Sequence, residues 1–221
     1  MPILEIATFS VEAARIAQNA GAHRLELCNN YALGGITPTP SELEDISSFL
    51  AVPATVMIRP RGGNFVYNTK EISVLFYQIN LVKSMHFQGI VLGVLTQENE
   101  IDLSLLKELV AAADGMDITF HRAFDEIQDL ENAIAILKEA KINRILSGAW
   151  KNYGINYAQK LNTLAGENLV YMPGGGIRSH NLLHFLQAGF SEIHSAAITD
   201  EKNMPNKIEI STLIKTIEKY A

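Results

Sequence analysis

The 221-residue sequence has little of what marks several protein classes. It contains a single cysteine, Cys28, so no disulfide can form within the chain and nothing indicates an oxidising compartment. No run of about 18 apolar residues occurs, which excludes a membrane-spanning helix. The amino-terminal residues lack a basic segment ahead of a long apolar one, so no signal peptide is expected. These absences predict a cytoplasmic protein without a membrane partner.

The chain also has fewer basic residues than acidic ones. The chain has 18 lysines and arginines against 24 aspartates and glutamates, a net charge of −6, which argues against a nucleic-acid-binding surface. It lacks Cys-x-x-Cys, His-Glu-x-x-His, P-loop and G-x-S-x-G motifs, which excludes the corresponding zinc, ATP-binding and serine-hydrolase sites. The sequence also lacks the G-x-G-x-x-G fingerprint of dinucleotide-binding proteins, so no nucleotide cofactor is expected. A small ligand is therefore the expected partner.

The hydrophobic pattern predicts the fold. Eight short aliphatic or β-branched runs alternate with amphipathic segments long enough for helices, and such alternation implies parallel strands. We therefore predict one (β/α)8 TIM barrel over residues 1–221, with a doubly wound open sheet as the alternative. The predicted strands begin near Ile3, Arg24, Thr55, Gly89, Asp117, Arg144, Leu169 and Glu192.

Capping residues locate several helices, and irregular segments locate the ligand-binding end. Serine caps and glycine stops predict helices at Val11–Ala20 after Ser10, Glu42–Leu50 after Ser41, and His180–Ala188 after Ser179, with Gly21 and Gly189 ending the first and last. The longest irregular stretches are Cys28–Pro40, Arg59–Thr69 and Gly148–Gly154. Each follows a strand directly, at the face where barrels and open sheets bind ligands.

The second predicted strand carries polar residues at alternate positions. Its two-residue period places Arg24, Glu26 and Cys28 on one face and two leucines on the other. The leucines would pack under helices, so the polar set would face the lumen with Glu5 of the first strand. Cys28 and Glu26 lie toward the mouth, and Glu26 is a candidate catalytic acid–base group. For Arg24, an internal ion-pair layer is an equally good explanation, because buried arginines must be paired.

The third strand leads into an arginine-rich turn. Pro60 separates Arg59 from Arg61 and restricts the backbone of both itself and its predecessor, while Gly62–Gly63 allows a ligand to approach closely. Two guanidinium groups suit a carboxylate or phosphate, so Arg59 and Arg61 are predicted to bind a small anion. The alternative is a pair of solvent-exposed charges on a turn.

The fifth strand ends in a histidine with charged neighbours. His121 occupies the position where barrels place catalytic groups, and histidine titrates near neutral pH. It is a candidate acid–base residue, with Asp125 or Glu26 to orient it and Arg122 to bind an anion. Alternatively, His121 is only a hydrogen-bonded strand-end residue.

A glycine run follows the seventh strand. Gly174, Gly175 and Gly176 stand between that strand and a predicted helix, where exposed amides form an anion site. In barrels the loops after strands seven and eight frequently hold phosphate, and Ser195 of the eighth strand adds a hydroxyl beside them. A tight turn that needs positive φ is the alternative for the glycines.

Six motifs together resemble the CutC family of copper homeostasis proteins. They are Arg24–Cys28, Gly34–Pro38, Met57–Gly63, Thr119–Asp125, Met172–Gly176 and His194–Ala196. The resemblance implies a (β/α)8 barrel, a cytoplasmic location and a role in copper tolerance, with copper binding proposed for members. The segment Leu146–Asn152 departs from the Thr-Ser-Gly-Gly usual in the family, since only Ser147 and Gly148 carry over.

The residue chemistry leaves three functions open. Cu(I) prefers thiolate and thioether ligands, and this chain has one cysteine and six methionines without a Met-x-x-Met cluster. A copper site would combine Cys28 with His194 or His121. The hypotheses are a copper-binding homeostasis protein, a lyase or isomerase acting on a small phosphorylated or carboxylated molecule, and a sensor of such a ligand. A homo-oligomer is compatible with all three, although no interface signature can be identified.

Overall fold

The computed structural model describes residues 1–221, and its strands follow the predicted pattern. Each predicted start lies within one residue of the observed one. The strands are β1 (Ile3–Thr8), β2 (Arg24–Leu27), β3 (Ala54–Met57), β4 (Gly89–Leu92), β5 (Asp117–Phe120), β6 (Arg144–Ser147), β7 (Val170–Pro173) and β8 (Glu192–Ser195). Short apolar runs therefore located every strand, because each strand packs its outward side chains beneath a helix.

The eight strands form one parallel sheet that curls into a nearly closed barrel. They are hydrogen-bonded in the order β7-β6-β5-β4-β3-β2-β1-β8, and β7 also lies beside β8. In this register Glu5 of β1 pairs with Arg24 on one side and His194 on the other. The prediction of a single (β/α)8 barrel is confirmed, and the open sheet is rejected.

Nine α-helices surround the strands. They are α1 (Val11–Asn19), α2 (Pro40–Ser47), α3 (Thr69–Ser84), α4 (Leu103–Ala113), α5 (Leu130–Glu139), α6 (Trp150–Tyr153), α7 (Ile155–Ala165), α8 (Leu182–Gln187) and α9 (Lys207–Tyr220). Segment 148–154, predicted to be irregular, contains α6. None of the helices has the length and apolar character needed to cross a bilayer.

Local hydrogen bonds explain where the helices begin. Ser10 caps α1 as predicted, its hydroxyl accepting from the Ala13 amide at 3.1 Å. The prediction for α2 was wrong, because Thr39 rather than Ser41 is the cap and forms a reciprocal capping box with Glu42. Gly21 ends the first helical segment at φ +98°, as predicted.

The start of α8 also differs from the prediction. The helix begins at Leu182 rather than after Ser179. Ser179 does not cap it, because both its amide and its hydroxyl donate to the carboxylate of Glu209 in α9, at 2.6 and 2.8 Å. Gly189 follows the helix at φ +84°, as predicted. The glycine run after β7 is therefore separated from α8 by several residues.

The lumen of the barrel begins with a buried layer of ion pairs. Arg24 donates to Glu5 at 2.5 Å and to Glu192, and Arg144 donates to both Glu192 and Asp117 at 3.0 Å. Four of these five residues open their strands, so the layer closes the amino-terminal end. Leu25 and Leu27 pack instead in the main apolar core. Arg24 thus belongs to an internal ion-pair layer.

Replacing Arg24 by methionine should strongly destabilise the barrel, because two buried carboxylates would lose their common partner. Breaking a buried ion pair costs about 3–5 kcal/mol. Urea unfolding followed by circular dichroism measures the loss. The control is Lys107→Met, which breaks an exposed pair with Glu139 and should change stability little. Equal midpoints for Arg24→Met and wild type would contradict a stabilising role for the layer.

Candidate functional site

A cavity of about 710 Å³ opens at the carboxyl ends of the strands. Strand-end residues and the loops that follow β1, β2, β3, β5, β6, β7 and β8 line it. Its polar lining residues are Glu26, Arg59, His121, Arg122, Asp125, Glu126, Lys151, Arg178 and His194, with Gly175 and Gly176 on one wall. The cavity has the size of a typical small-ligand site. It brings together most of the residues singled out in the sequence.

Glu26 and His194 line the floor of the cavity, and the fully buried Glu5 completes this floor from below. His194 Nδ1 lies 2.8 Å from Glu5 Oε1, and its Nε2 lies 3.9 Å from Glu26 Oε2. All three side chains are buried, and Glu26 Oε1 has no hydrogen-bond partner. Glu5 thus holds the imidazole with one nitrogen directed toward Glu26, an arrangement typical of an oriented acid–base histidine.

Charges on the floor shift three pKa values. Burial alone would raise the pKa of Glu5, but Arg24 and His194 outweigh it and lower that pKa to about 2. Burial raises the pKa of Glu26, and the neighbouring Glu5 adds to the effect. Burial opposes protonation of His194, but Glu26 and Glu5 outweigh it and raise its pKa. Glu5 therefore remains a carboxylate, while a proton can be held by either His194 or Glu26.

His121 presents a neutral donor from the opposite wall. Its Nδ1 accepts the Ala123 amide at 3.1 Å, so in the neutral ring Nε2 carries the proton. Nε2 is buried and has no partner, while the ring packs on Phe65 with centroids 4.6 Å apart. A Cβ at Gly93 would overlap the imidazole, so glycine makes room for the ring. His121 can donate one hydrogen bond to a ligand.

Three cations in the cavity have no carboxylate partner. Arg59 is 6% exposed and donates only to the carbonyls of residues 33, 35 and 63, at 2.7–3.0 Å, with Nε unpaired. Arg178 donates to two backbone carbonyls and to the Ser195 hydroxyl. Lys151 is exposed at the rim. Carbonyls satisfy most N–H donors of the two arginines but leave their positive charges uncompensated, so the cavity favours an anion.

The remaining predicted anion ligands occupy different places. Arg122 reaches the cavity but pairs with Asp125 at 2.8 Å. Gly174 is buried below the surface, with its amide bonded to the Ser147 carbonyl. Ser195 Oγ donates to the Ile177 carbonyl and accepts from Arg178, so this hydroxyl positions the arginine.

Arg61 lies outside the cavity lining. Its guanidinium donates to Glu71 of α3 at 2.6 Å and to the backbone carbonyls of Asn64 and Val66. The expected convergence of Arg61 with Arg59 on one position does not occur, because Glu71 and the turn carbonyls hold its guanidinium away. Arg59 alone of the two reaches the cavity.

Cys28 is also withdrawn from the cavity. It is 4% exposed, and its thiol donates to Glu26 Oε2 at 3.4 Å. Burial, reinforced by Glu26, raises the pKa of the thiol, so Cys28 is held as a thiol rather than a thiolate.

Sequence reasoning missed two of the three unpaired cations. Arg178 directly follows Ile177 after the glycine run, and that proximity was an available signal. Lys151 stands in the segment Leu146–Asn152. The departure of this segment from the family pattern does not by itself indicate a ligand-binding residue. The pairing of Glu5 with His194 was missed because the closed barrel places β1 beside β8, but the sequence pattern does not give the register between them.

Comparison with known proteins gives a consistent result. The sequence model of the CutC family matches residues 2–199. A CutC family protein of Salmonella schwarzengrund is 38% identical over 202 residues, covering 89% of this chain and 80% of that protein. A Salmonella typhi relative of the same description is also 38% identical and is covered over 77% of its length.

Solved structures support the same relationship. A Streptococcus agalactiae protein described as the copper homeostasis protein CutC has a TM-score of 0.85 and 31% identity, over 90% of this chain and all of that one. Thiamine phosphate pyrophosphorylase from Pyrococcus furiosus has a TM-score of 0.67 at 13% identity, over 99% of this chain and 96% of that one. The second similarity concerns the fold alone.

His121 should stay neutral throughout the physiological range. Burial lowers its pKa to about 3, and the positive charge of Arg59 adds to the effect. The unfolded state takes up the proton near pH 6.5, so the contribution of His121 to stability is complete above that pH and is lost as the pH falls toward 3. Nitrogen-15 NMR should show one Nε2–H tautomer down to about pH 4. Titration of His121 near pH 6.5 would contradict this environment.

Proposed function

The chain belongs to the CutC family, and we propose that it serves copper homeostasis in the cytoplasm through a small-molecule site at the mouth of its barrel. The ligand is a small phosphorylated or carboxylated molecule. The observation that carries this proposal is the set of three cations, Arg59, Lys151 and Arg178, that line one cavity without a carboxylate partner.

The charge balance favours an anionic ligand over a free cation. A buried guanidinium is costly unless a counter-charge compensates it, and Arg59 has none among its neighbours. Of the three acidic side chains in the cavity, Asp125 is already engaged by Arg122, Ser147 and the Gly148 amide, and neither Glu26 nor Glu126 forms an ion pair with Arg59, Lys151 or Arg178. An anion bound in the cavity would supply the missing negative charge.

The floor supports acid–base chemistry on that anion, as in a lyase or isomerase. Glu26 and His121 are the candidate catalytic residues, and His194 joins them through its contact with Glu26. The neutral His121 can polarise a carbonyl oxygen by donating from Nε2, because an imidazole that carries no charge still donates. A proton from the adjacent carbon would pass to Glu26, whose Oε1 has no hydrogen-bond partner and whose raised pKa makes it a stronger base than an ordinary carboxylate.

Anion binding should protect the native protein against heat. Phosphate should raise the melting temperature relative to chloride at the same ionic strength, because a ligand bound only to the folded state stabilises it. Arg59→Gln and Arg178→Gln should each weaken the binding of at least one of two anions, phosphate or a small carboxylate such as acetate, about tenfold or more, as expected for loss of a charge-assisted bond. The control is Arg15→Gln on α1, whose side chain stacks on Phe49, away from the cavity.

The same assay distinguishes Arg61, which lies outside the cavity, from Arg59, which lines it. Arg61→Gln should retain the phosphate-dependent shift, because its guanidinium is held by Glu71. Calorimetric titration of the folded wild type provides a readout that does not depend on any variant. Absence of both phosphate and small-carboxylate binding in wild type, or full retention of binding in both cavity variants, would refute the anion site.

Direct copper binding is the second candidate function. Cys28 and Met57 belong to one small buried cluster with Val91, and Cys28 contacts Glu26 near His194. Cu(I) prefers deprotonated thiols and thioethers, but the Cys28 thiol has a raised pKa and shares its proton with Glu26. The sulfur of Met172 is engaged by Arg24 at 3.4 Å. The residues present therefore fit a tight Cu(I) site poorly.

Copper affinity should accordingly be modest and should depend on Cys28. Competition against a Cu(I) chelator measures it, and Cys28→Ala should abolish binding because the chain has no other thiol. Met116→Leu, which alters a half-buried core methionine, is the control. Unchanged affinity in Cys28→Ala would rule out a site centred on this thiol, and sub-nanomolar affinity in wild type would contradict the expectation of a poor fit.

A further inference from the structure

We infer that Lys151 and the backbone amides of Gly175 and Gly176 form a phosphoryl-binding site, so that the ligand of the cavity is a small phosphate monoester. This inference rests on the proposed anion site and specifies the chemical class of its ligand. It assigns Lys151 as the residue that selects a phosphoryl group.

The contacts of the preceding residue, Trp150, place Lys151 against the glycine run. Trp150 Nε1 donates to the Gly174 carbonyl at 2.6 Å, and its ring packs edge-on against Phe185 of α8. These contacts tie α6, which follows β6, to the loop after β7. A Cβ built on Gly176 would lie 3.4 Å from Lys151 Nζ, and one on Gly175 would lie 3.7 Å from it. The ammonium group therefore stands directly over the two glycines.

The donors at this position are free. Neither the Gly175 amide nor the Gly176 amide makes a hydrogen bond within the protein, and Lys151 Nζ forms no ion pair. Nearby amides differ, since that of Gly148 donates to Asp125 and that of Gly174 donates to the Ser147 carbonyl. The protein thus leaves two amides and one ammonium group available on the same wall of the cavity.

Buried polar groups deeper in the cavity offer a ligand a second set of contacts beyond this wall. His121 Nε2, Glu26 Oε1 and Arg59 Nε are buried polar atoms without partners, in residues that are 3–6% exposed. Buried polar atoms are normally hydrogen-bonded. A ligand that bonds these atoms and also reaches the glycines carries polar groups at both ends.

The phosphoryl end belongs at the glycines rather than at the floor. A dianion is costly to dehydrate, and the wall that contains Lys151 and Gly176 is exposed, whereas the floor is buried and carries Glu5 and Glu26. A phosphoryl group also offers three acceptor oxygens, which match two amides and one ammonium group. The loops after strands seven and eight are the common phosphate position in this architecture.

The test uses inorganic phosphate and calorimetric titration on the full chain at constant ionic strength. Lys151→Met should weaken phosphate binding about tenfold or more, the loss expected for one charge-assisted bond, whereas Lys151→Arg should restore most of it. The control is Lys70→Met on α3, an exposed lysine without an ion pair, which should bind like wild type. Melting temperature and circular dichroism verify that each variant is folded.

Acetate and 2-phosphoglycolate complete the design. The affinity of 2-phosphoglycolate should exceed that of phosphate, because its carboxylate adds a second anionic group in a cavity lined by uncompensated cations, and should also fall in Lys151→Met. If Arg59→Gln loses phosphate binding while Lys151→Met keeps all of it, the phosphoryl assignment is wrong but the anion site stands. If wild type binds acetate but not phosphate, the assignment is likewise wrong. If neither anion binds, both the phosphoryl assignment and the proposed function are wrong.

Discussion

The barrel interior and the candidate site both depend on the two contacts made by the Glu5 carboxylate. One of its oxygens accepts from Arg24 at 2.5 Å, and the other lies 2.8 Å from His194 Nδ1. Through Arg24 it joins the ion-pair layer that closes the amino-terminal end of the lumen. Through His194 it fixes the floor of the cavity. Because Glu5 remains charged, the histidine keeps one orientation and directs Nε2 toward Glu26.

Above this floor the cavity carries uncompensated positive charge. The floor holds the carboxylates Glu5 and Glu26, whereas Arg59, Lys151 and Arg178 line the cavity above it without carboxylate partners. A ligand with an anionic end and a polarisable carbonyl or hydroxyl end matches this gradient, because each end meets donors or acceptors of the appropriate kind.

The fold could be predicted because its determinants are local. Short apolar runs locate all eight strands, and the two-residue period of β2 separates lumen residues from core leucines. The site was only partly predictable. Arg59 and Arg61 stand on either side of the same proline, so the sequence does not distinguish them. An ion pair with Glu71 of α3 keeps Arg61 outside the cavity. Lys151 acquires its position from a hydrogen bond between Trp150, at the start of α6, and Gly174 in the loop after β7. Periodicity carries no information about such contacts.

The most direct test of the account is the location of a heavy phosphate analogue in the protein. Crystals grown with tungstate can be examined by anomalous diffraction, which identifies the anion independently of any assay. The account predicts a strong peak inside the barrel mouth, within hydrogen-bonding distance of Lys151 and the Gly175–Gly176 amides. Tungstate confined to the outer helices, with none in the cavity, would contradict the central claim that this barrel mouth is built to bind an anion.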